Sequence, residues 1–266
     1  MIGLEPYQYV LIGLLFVWSG IVRSGFGFGG AVFALPFLLL IDNQPLVYLP
    51  LIAVHLLIFS SLTVYRNQRK QKKQQRQSHC DDAASMIATV DWHYLKKALG
   101  IMIVPKMIGV LGLLTLPATV MSIIIFCIIT VYAFSYMLNR PFRSHNKLLD
   151  MVFLALGGYI SGTSLIGAPL IVAVFAKYVA REQLRDTLFV LWFILVTIKM
   201  ASFVYYGVDM QLIHHLWLLP CATVGHLIGL RLHDYLQSTD TVRFYRIFGV
   251  LLLLTSAGGV FKVWFY

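Results

Sequence analysis

The 266-residue chain is 59% hydrophobic and only 12% charged, with a net charge of +10 and a mean hydropathy of +0.79. Soluble domains hold about 45–50% apolar and about 25% charged residues, so the composition excludes a water-soluble globular domain and indicates an integral membrane protein. Runs such as 120–138 and 247–260 are apolar on every side rather than alternating, which predicts helices and excludes a β-barrel.

The N-terminal stretch MIGLEPYQYV has no basic start and no small-residue cleavage site, so no cleaved signal peptide is expected. Residues 7–41 form a long apolar region broken at the glycine cluster Gly25, Gly27, Gly29 and Gly30, with Arg23 and Ser24 beside it. A spanning helix over 46–65 follows and holds His55. Six of the 21 basic residues then crowd into 66–76 (RNQRKQKKQQR). Lys and Arg concentrate in inner loops, so this run reads as a cytoplasmic topology signal and not as a nucleic-acid patch.

Spans over 95–114, which contains Lys106, and over 118–138 complete the first half. The second half opens with residues 148–179, apolar but broken around Ser161, Thr163, Ser164 and Gly167. Spans over 187–206, with Lys199, and over 211–230 and 247–265 follow. The pieces on either side of each break run about 10–15 residues, short for an independent span, which predicts re-entrant or broken half-helices. Basic residues place the loops 66–97, 140–147, 177–185 and 231–246 inside. The loops 42–45, 115–117 and 207–210 lack Lys and Arg and fall outside, which puts both termini on the outer side.

The two halves, 1–139 and 140–266, repeat one another. Phe28-Gly29-Gly30 and Ile166-Gly167-Ala168 lie 138 positions apart, and Val90-Asp91 is matched by Val208-Asp209. With opposite orientations this predicts an all-α, polytopic membrane protein of two inverted repeats, each a broken glycine-rich segment followed by three transmembrane helices. Such a break can offer the free N–H groups of a half-helix to an anion. Arg23, Ser24, Gly27, Gly29, Gly30, Ser161, Thr163, Ser164 and Gly167 are the candidate ligands from the breaks. His55, Lys106 and Lys199 are candidates from the middle of spans. The eleven acidic residues fall in loops or near segment ends, so the basic groups at depth lack carboxylate partners, and a translocated anion would supply one.

The paired motifs SGIVRSGFGFGGAVFALP and GGYISGTSLIGAPLIV, each trailed by Val-Asp, resemble the TauE/SafE sulfite exporter family, also known as the toluene sulfonate uptake permeases. The resemblance implies transport of sulfite, organosulfonates or related sulfur anions across the inner (plasma) membrane. The second motif holds fewer glycines than the family pattern, and the basic loop is longer. The expected partners are a small sulfur oxyanion or sulfonate and the lipid bilayer, with a proton on His55 or His226 as the candidate coupling ion. No HExxH, GxSxG or Walker A pattern occurs, so neither enzyme chemistry, a metal nor a cofactor is expected. An anion channel or a membrane-embedded sulfur-handling enzyme are the competing classes.

Overall fold

The computed structural model describes residues 3–26, 29–77, 89–140, 142, 144, 146–236 and 241–265. Those residues form ten helices: α1 (Pro6–Phe26), α2 (Gly30–Ile41), α3 (Pro45–Gln77), α4 (Trp92–Thr115), α5 (Ala118–Met137), α6 (Lys147–Ser164), α7 (Ala168–Tyr178), α8 (Arg181–Tyr205), α9 (Leu212–Leu236) and α10 (Thr241–Phe265). Six of them contain stretches long and apolar enough to cross a bilayer, in α1, α3, α4, α5, α8 and α9. The chain is an all-α polytopic membrane protein.

Two features differ from the sequence expectation. The arms before the breaks are 21 residues in α1 and 18 in α6, whereas α2 and α7 have 12 and 11. At 1.5 Å per residue the long arms rise about 31 and about 27 Å, close to the roughly 30 Å hydrocarbon thickness. Each broken segment is therefore one long arm and one short arm, not two half-spans. The cause is that Gly25 and the stretch 161–164, expected to interrupt the helix, remain helical, held by the helices packed on them. The second difference concerns the basic loop 66–97. Helix α3 continues to Gln77 and α4 starts at Trp92, because a Lys-, Arg- and Gln-rich run without Gly or Pro is a good helix former.

Glycines set the long-arm contacts. On α1 and α9 the close approaches advance together: Gly13 lies by Trp217 and Cys221, Gly20 by Ala222 and His226, and Gly229 by Ile21. On α4 and α6 they do the same, with Gly158 by Met102 and Gly162 by Lys106 and Val110. Both pairs are therefore parallel. On α5 and α10 the order reverses, Gly249 meeting Ala133 and Met137 and Gly259 meeting Phe126, so that pair is antiparallel. Helix α3 packs on α8. At most of these glycines an added Cβ would fall within 3 Å of backbone atoms in the facing helix, the small-residue packing that membrane helices use in place of a hydrophobic driving force.

The short arms are enclosed by protein. Nine residues of α2, Gly30 to Pro36 with Leu38 and Leu39, are buried, in a core shared with Tyr48, Leu49 and Ile52 of α3, Ile125 and Ile129 of α5, and Leu252 of α10. Helix α7 buries Ile171, Val174 and Phe175 against Leu95 and Met102 of α4 and Leu188, Leu191 and Leu195 of α8. Interrupted backbone at membrane depth is tolerated where protein shields it from lipid. A clasp joins the arm ends of the second broken segment: Asp150, in the first turn of α6, pairs with Lys177 near the end of α7 at 3.1 Å and accepts from the Tyr178 hydroxyl. The α6–α7 segment thus starts and finishes at one end of the molecule, as its flanking charges predict.

Candidate functional site

The break between α1 and α2 turns at Gly29, whose φ of +89° is backbone that side-chain-bearing residues rarely adopt. It caps α2, and the first helical bond there runs from the Phe33 N–H to the Gly29 carbonyl. The N–H groups of Gly30, Ala31 and Val32 therefore stand outside the helical ladder. The second break turns at Leu165, a non-glycine residue at φ +61°. Pro169 takes the second position of α7, where its missing N–H costs nothing, and the Ala168 N–H remains outside the ladder.

Both breaks open onto one cavity of about 30 Å³. Its walls are Arg23, Gly29, Gly30, Ala31 and Val32 from the first break, Ser161, Leu165 and Ala168 from the second, and Leu56, Phe189, Trp192 and Val196 from α3 and α8. That volume has room for water. Arg23 is 4% exposed. Its Nε and Nη2 are buried without a hydrogen-bond partner among the described residues, and its guanidinium lies 4.4 Å over the Phe59 ring. A buried guanidinium with unbonded N–H groups, lining the same cavity as backbone N–H groups outside the helical ladders, suits an oxyanion, which only accepts.

The remaining candidates take different places. Lys106 and Lys199 are fully buried and do not reach to a membrane interface. Lys106 donates to the Ser161 hydroxyl at 3.3 Å and lies 3.5 Å from its carbonyl. Lys199 donates to the Gly162 and Thr163 carbonyls at 2.7 and 3.2 Å. Both satisfy the carbonyl end of α6. No carboxylate among the described residues lies within ion-pair distance of Arg23, Lys106 or Lys199; the pair Asp150–Lys177 is elsewhere. Thr163 and Ser164 donate their hydroxyl hydrogens to the Ile160 carbonyl, and Gly167 packs on the Gly157 carbonyl. Ser24 bonds to the His226 ring. His55 lies against Phe16 and His215 and is not among the cavity walls. Gly27 lies outside the described residues.

Three participants carry no sequence signal for this role. Arg185 donates to the Ser24 carbonyl at 3.3 Å, closing the carbonyl end of α1 as the lysines close that of α6, although its position marks it only as a loop cation. Phe59 looks like any apolar helix residue. Leu165 gives no hint of a left-handed conformation, which glycine or asparagine would have suggested.

Residues 83–258 match the family model of the sulfite exporter TauE/SafE. Comparison with curated proteins and with solved structures gives no match. The matched region runs from before α4 into α10 and takes in the second break, both buried lysines and Arg185. On that match and on its set of long apolar helices, the chain belongs to the sulfite exporter TauE/SafE family of membrane transport proteins.

Proposed function

We propose that the protein is a secondary transporter of small sulfur-containing anions, sulfite or an organosulfonate, and that the anion binds in the cavity shared by the two breaks. The observation that carries this reading is Arg23, buried with Nε and Nη2 lacking a hydrogen bond among the described residues, on the same cavity as Gly30, Ala31, Val32 and Ala168, whose N–H groups stand outside the helical ladders. Arg23 supplies the countercharge and a planar fork for SO3-type oxygens. The half-helix N-termini add partial positive charge. Ser161 is the hydroxyl from the second break that reaches the same space.

The halves 1–139 and 140–266 act as inverted repeats around this site. Support comes from corresponding contacts: α1 on α9 and α6 on α4, both parallel, with α3 on α8 and α5 on α10 pairing each element with its counterpart. Rocking one repeat against the other would expose the cavity to each side in turn. The charge distribution supports a plasma (inner) membrane orientation with 66–97 cytoplasmic and both termini outside.

The test is Arg23→Ala in reconstituted vesicles, with size-exclusion chromatography to confirm folding. Loss of a buried charge-assisted contact of about 1.5–3 kcal/mol weakens sulfite or sulfonate binding by roughly 10- to 150-fold and lowers flux in proportion at concentrations below the wild-type dissociation constant. Arg23→Lys, which keeps the charge but not the fork, falls between. Normal flux from well-folded Arg23→Ala refutes the anion site.

A further inference from the structure

Three histidines stand on α3 and α9, and each has one ring nitrogen in a hydrogen bond while the other is buried without one among the described residues; the Leu218 backbone also acts on the His55 ring. His55 Nδ1 lies 2.6 Å from the Leu51 carbonyl. A carbonyl only accepts, so Nδ1 carries the hydrogen and the neutral ring keeps its lone pair on Nε2. That Nε2 is buried without a partner among the described residues. His215 is held the opposite way round, with Nε2 donating to the Met210 carbonyl at 3.1 Å and Nδ1 buried and unpartnered. The two rings face one another with centroids 5.2 Å apart. His226 bonds Ser24 through Nδ1 and has Nε2 buried without a partner among the described residues; where the Ser24 hydroxyl donates, Nε2 carries the hydrogen and Nδ1 is the nitrogen that would take a proton.

Their order follows the parallel helices α1 and α9. His215 sits in the first turn of α9, next to His214, which stacks on Tyr9. His55 lies one step further along, against Phe16 at 5.0 Å. His226 is level with Ser24 and shares the Phe59 ring with Arg23, at 4.8 and 4.4 Å. The charged or titratable neighbours of His55 and His226 are basic, whereas Asp209 acts on His214 beside His215. His55 is influenced by His215 of α9 and Arg23 of α1. His226 is influenced by Arg23 of α1, Arg66 of α3 and Arg185 of α8. His215 has His55 and His214 beside it.

We propose that His215, His55 and His226 form a proton route alongside the anion site, and that the anion crosses together with a proton. The proposal rests on the transport reading above and names its coupling ion. A free ring nitrogen takes a proton from water to give an imidazolium and later releases the same proton; no other bond changes. With Arg23 and His215 as the charged or titratable groups acting on His55, an anion on Arg23 and a proton on His55 stabilise each other. Coupling of that kind is reciprocal: protons favour anion binding and the anion favours protonation, so the two travel in the same direction.

The experiment uses the full chain in vesicles held at zero membrane potential, with a pH dye inside and methanesulfonate as the probe, since its acid is too strong to carry a proton near neutral pH. An inward methanesulfonate gradient acidifies the lumen with about one proton per sulfonate, and wild-type affinity falls about tenfold per pH unit on the alkaline side of the coupled titration. His55→Gln, which retains a donor for the Leu51 carbonyl but does not titrate, drives the proton-to-sulfonate ratio toward zero, and His215→Gln lowers it. Sulfonate entry with no pH change and a pH-independent affinity overturns the coupling while leaving the transport reading intact. So does a wild-type ratio in both variants. If neither methanesulfonate nor radiolabelled sulfite binds or enters, the transport reading fails and the coupling with it. Affinity and stoichiometry are read on the wild type, so they decide the coupling even where His55→Gln does not fold.

Discussion

Gly109 and Gly112 sit one turn apart on α4, and replacing each by alanine has opposite consequences. A Cβ at Gly109 would lie 2.3 Å from the Tyr159 carbonyl oxygen and 3.1 Å from the Thr163 nitrogen, both backbone atoms of α6. Ordinary contact begins at 3.4 Å, so α4 and α6 must part by about 1 Å. Overpacking of this kind costs about 1–3 kcal/mol, toward the upper end because neither neighbour is a flexible side chain. At Gly112 nothing lies within 4 Å, and alanine contributes only its better helix propensity, about 1 kcal/mol. The propensity gain applies equally at Gly109, so the two variants differ by the clash alone. At about 2–4 °C per kcal/mol for a chain of this size, thermal unfolding in detergent separates them by on the order of 5 °C, with Gly112→Ala above wild type and Gly109→Ala below. Equal melting temperatures, or the reverse order, refute this close crossing of α4 and α6.

Substitutions at two further positions probe the break and the clasp. Gly29→Ala forces a side chain into φ +89° and against the Phe33 ring at 3.2 Å, costing about 1–2 kcal/mol, whereas Gly29→Asn costs less because asparagine tolerates positive φ; differential scanning fluorimetry ranks them. Asp150→Asn removes the charge that holds Lys177 and Tyr178. The exposed lysine keeps the loss of stability small, and anion affinity, measured by calorimetry, stays within about threefold of wild type because the clasp joins arm ends away from the cavity walls.

The broken architecture was legible because it is written in residue types that serve few other purposes at membrane depth. Gly29-Gly30, Gly167 with Pro169, and an arginine within an apolar run announced both breaks, and loop charges anticipated that α6 and α7 return to one end. Where the helices stop was less legible. Glycine and serine favour a break only when nothing packs against them, and Gly25, Ser161 and Ser164 are enclosed by neighbours that the sequence does not display. Composition also put Arg23, Lys106 and Lys199 in one class of buried cation. The fold separates them, because a cation's role depends on whether a carbonyl, a hydroxyl or an open cavity faces it. Gly109 and Gly112 are a smaller instance: one pattern, one residue against a helix and one against open space.

That separation bears on how four helix ends can meet in the proposed anion site without cancelling one another. Helices α2 and α7 present their N–H ends near the cavity, each equivalent to roughly half a positive charge, while α1 and α6 bring carbonyl ends of about the opposite sign. Left alone, these would largely cancel. The carbonyl ends are closed: Arg185 donates to Ser24, Lys106 lies over Ser161, and Lys199 donates to Gly162 and Thr163. The N–H ends are left free, with Arg23 beside them. Lys199 is not a wall of the cavity, so in the proposed anion site its effect would come from neutralising the end of α6. Lys199→Met should therefore expose that negative end and weaken anion binding by about 0.6–2 kcal/mol, roughly 3- to 30-fold, while Lys199→Arg, still able to donate to the same carbonyls, retains most of the affinity. Titration of sulfite or sulfonate by calorimetry on folded protein reads this directly. An unchanged dissociation constant in Lys199→Met, or an equal loss in Lys199→Arg, would show that the carbonyl ends do not govern the field at the cavity.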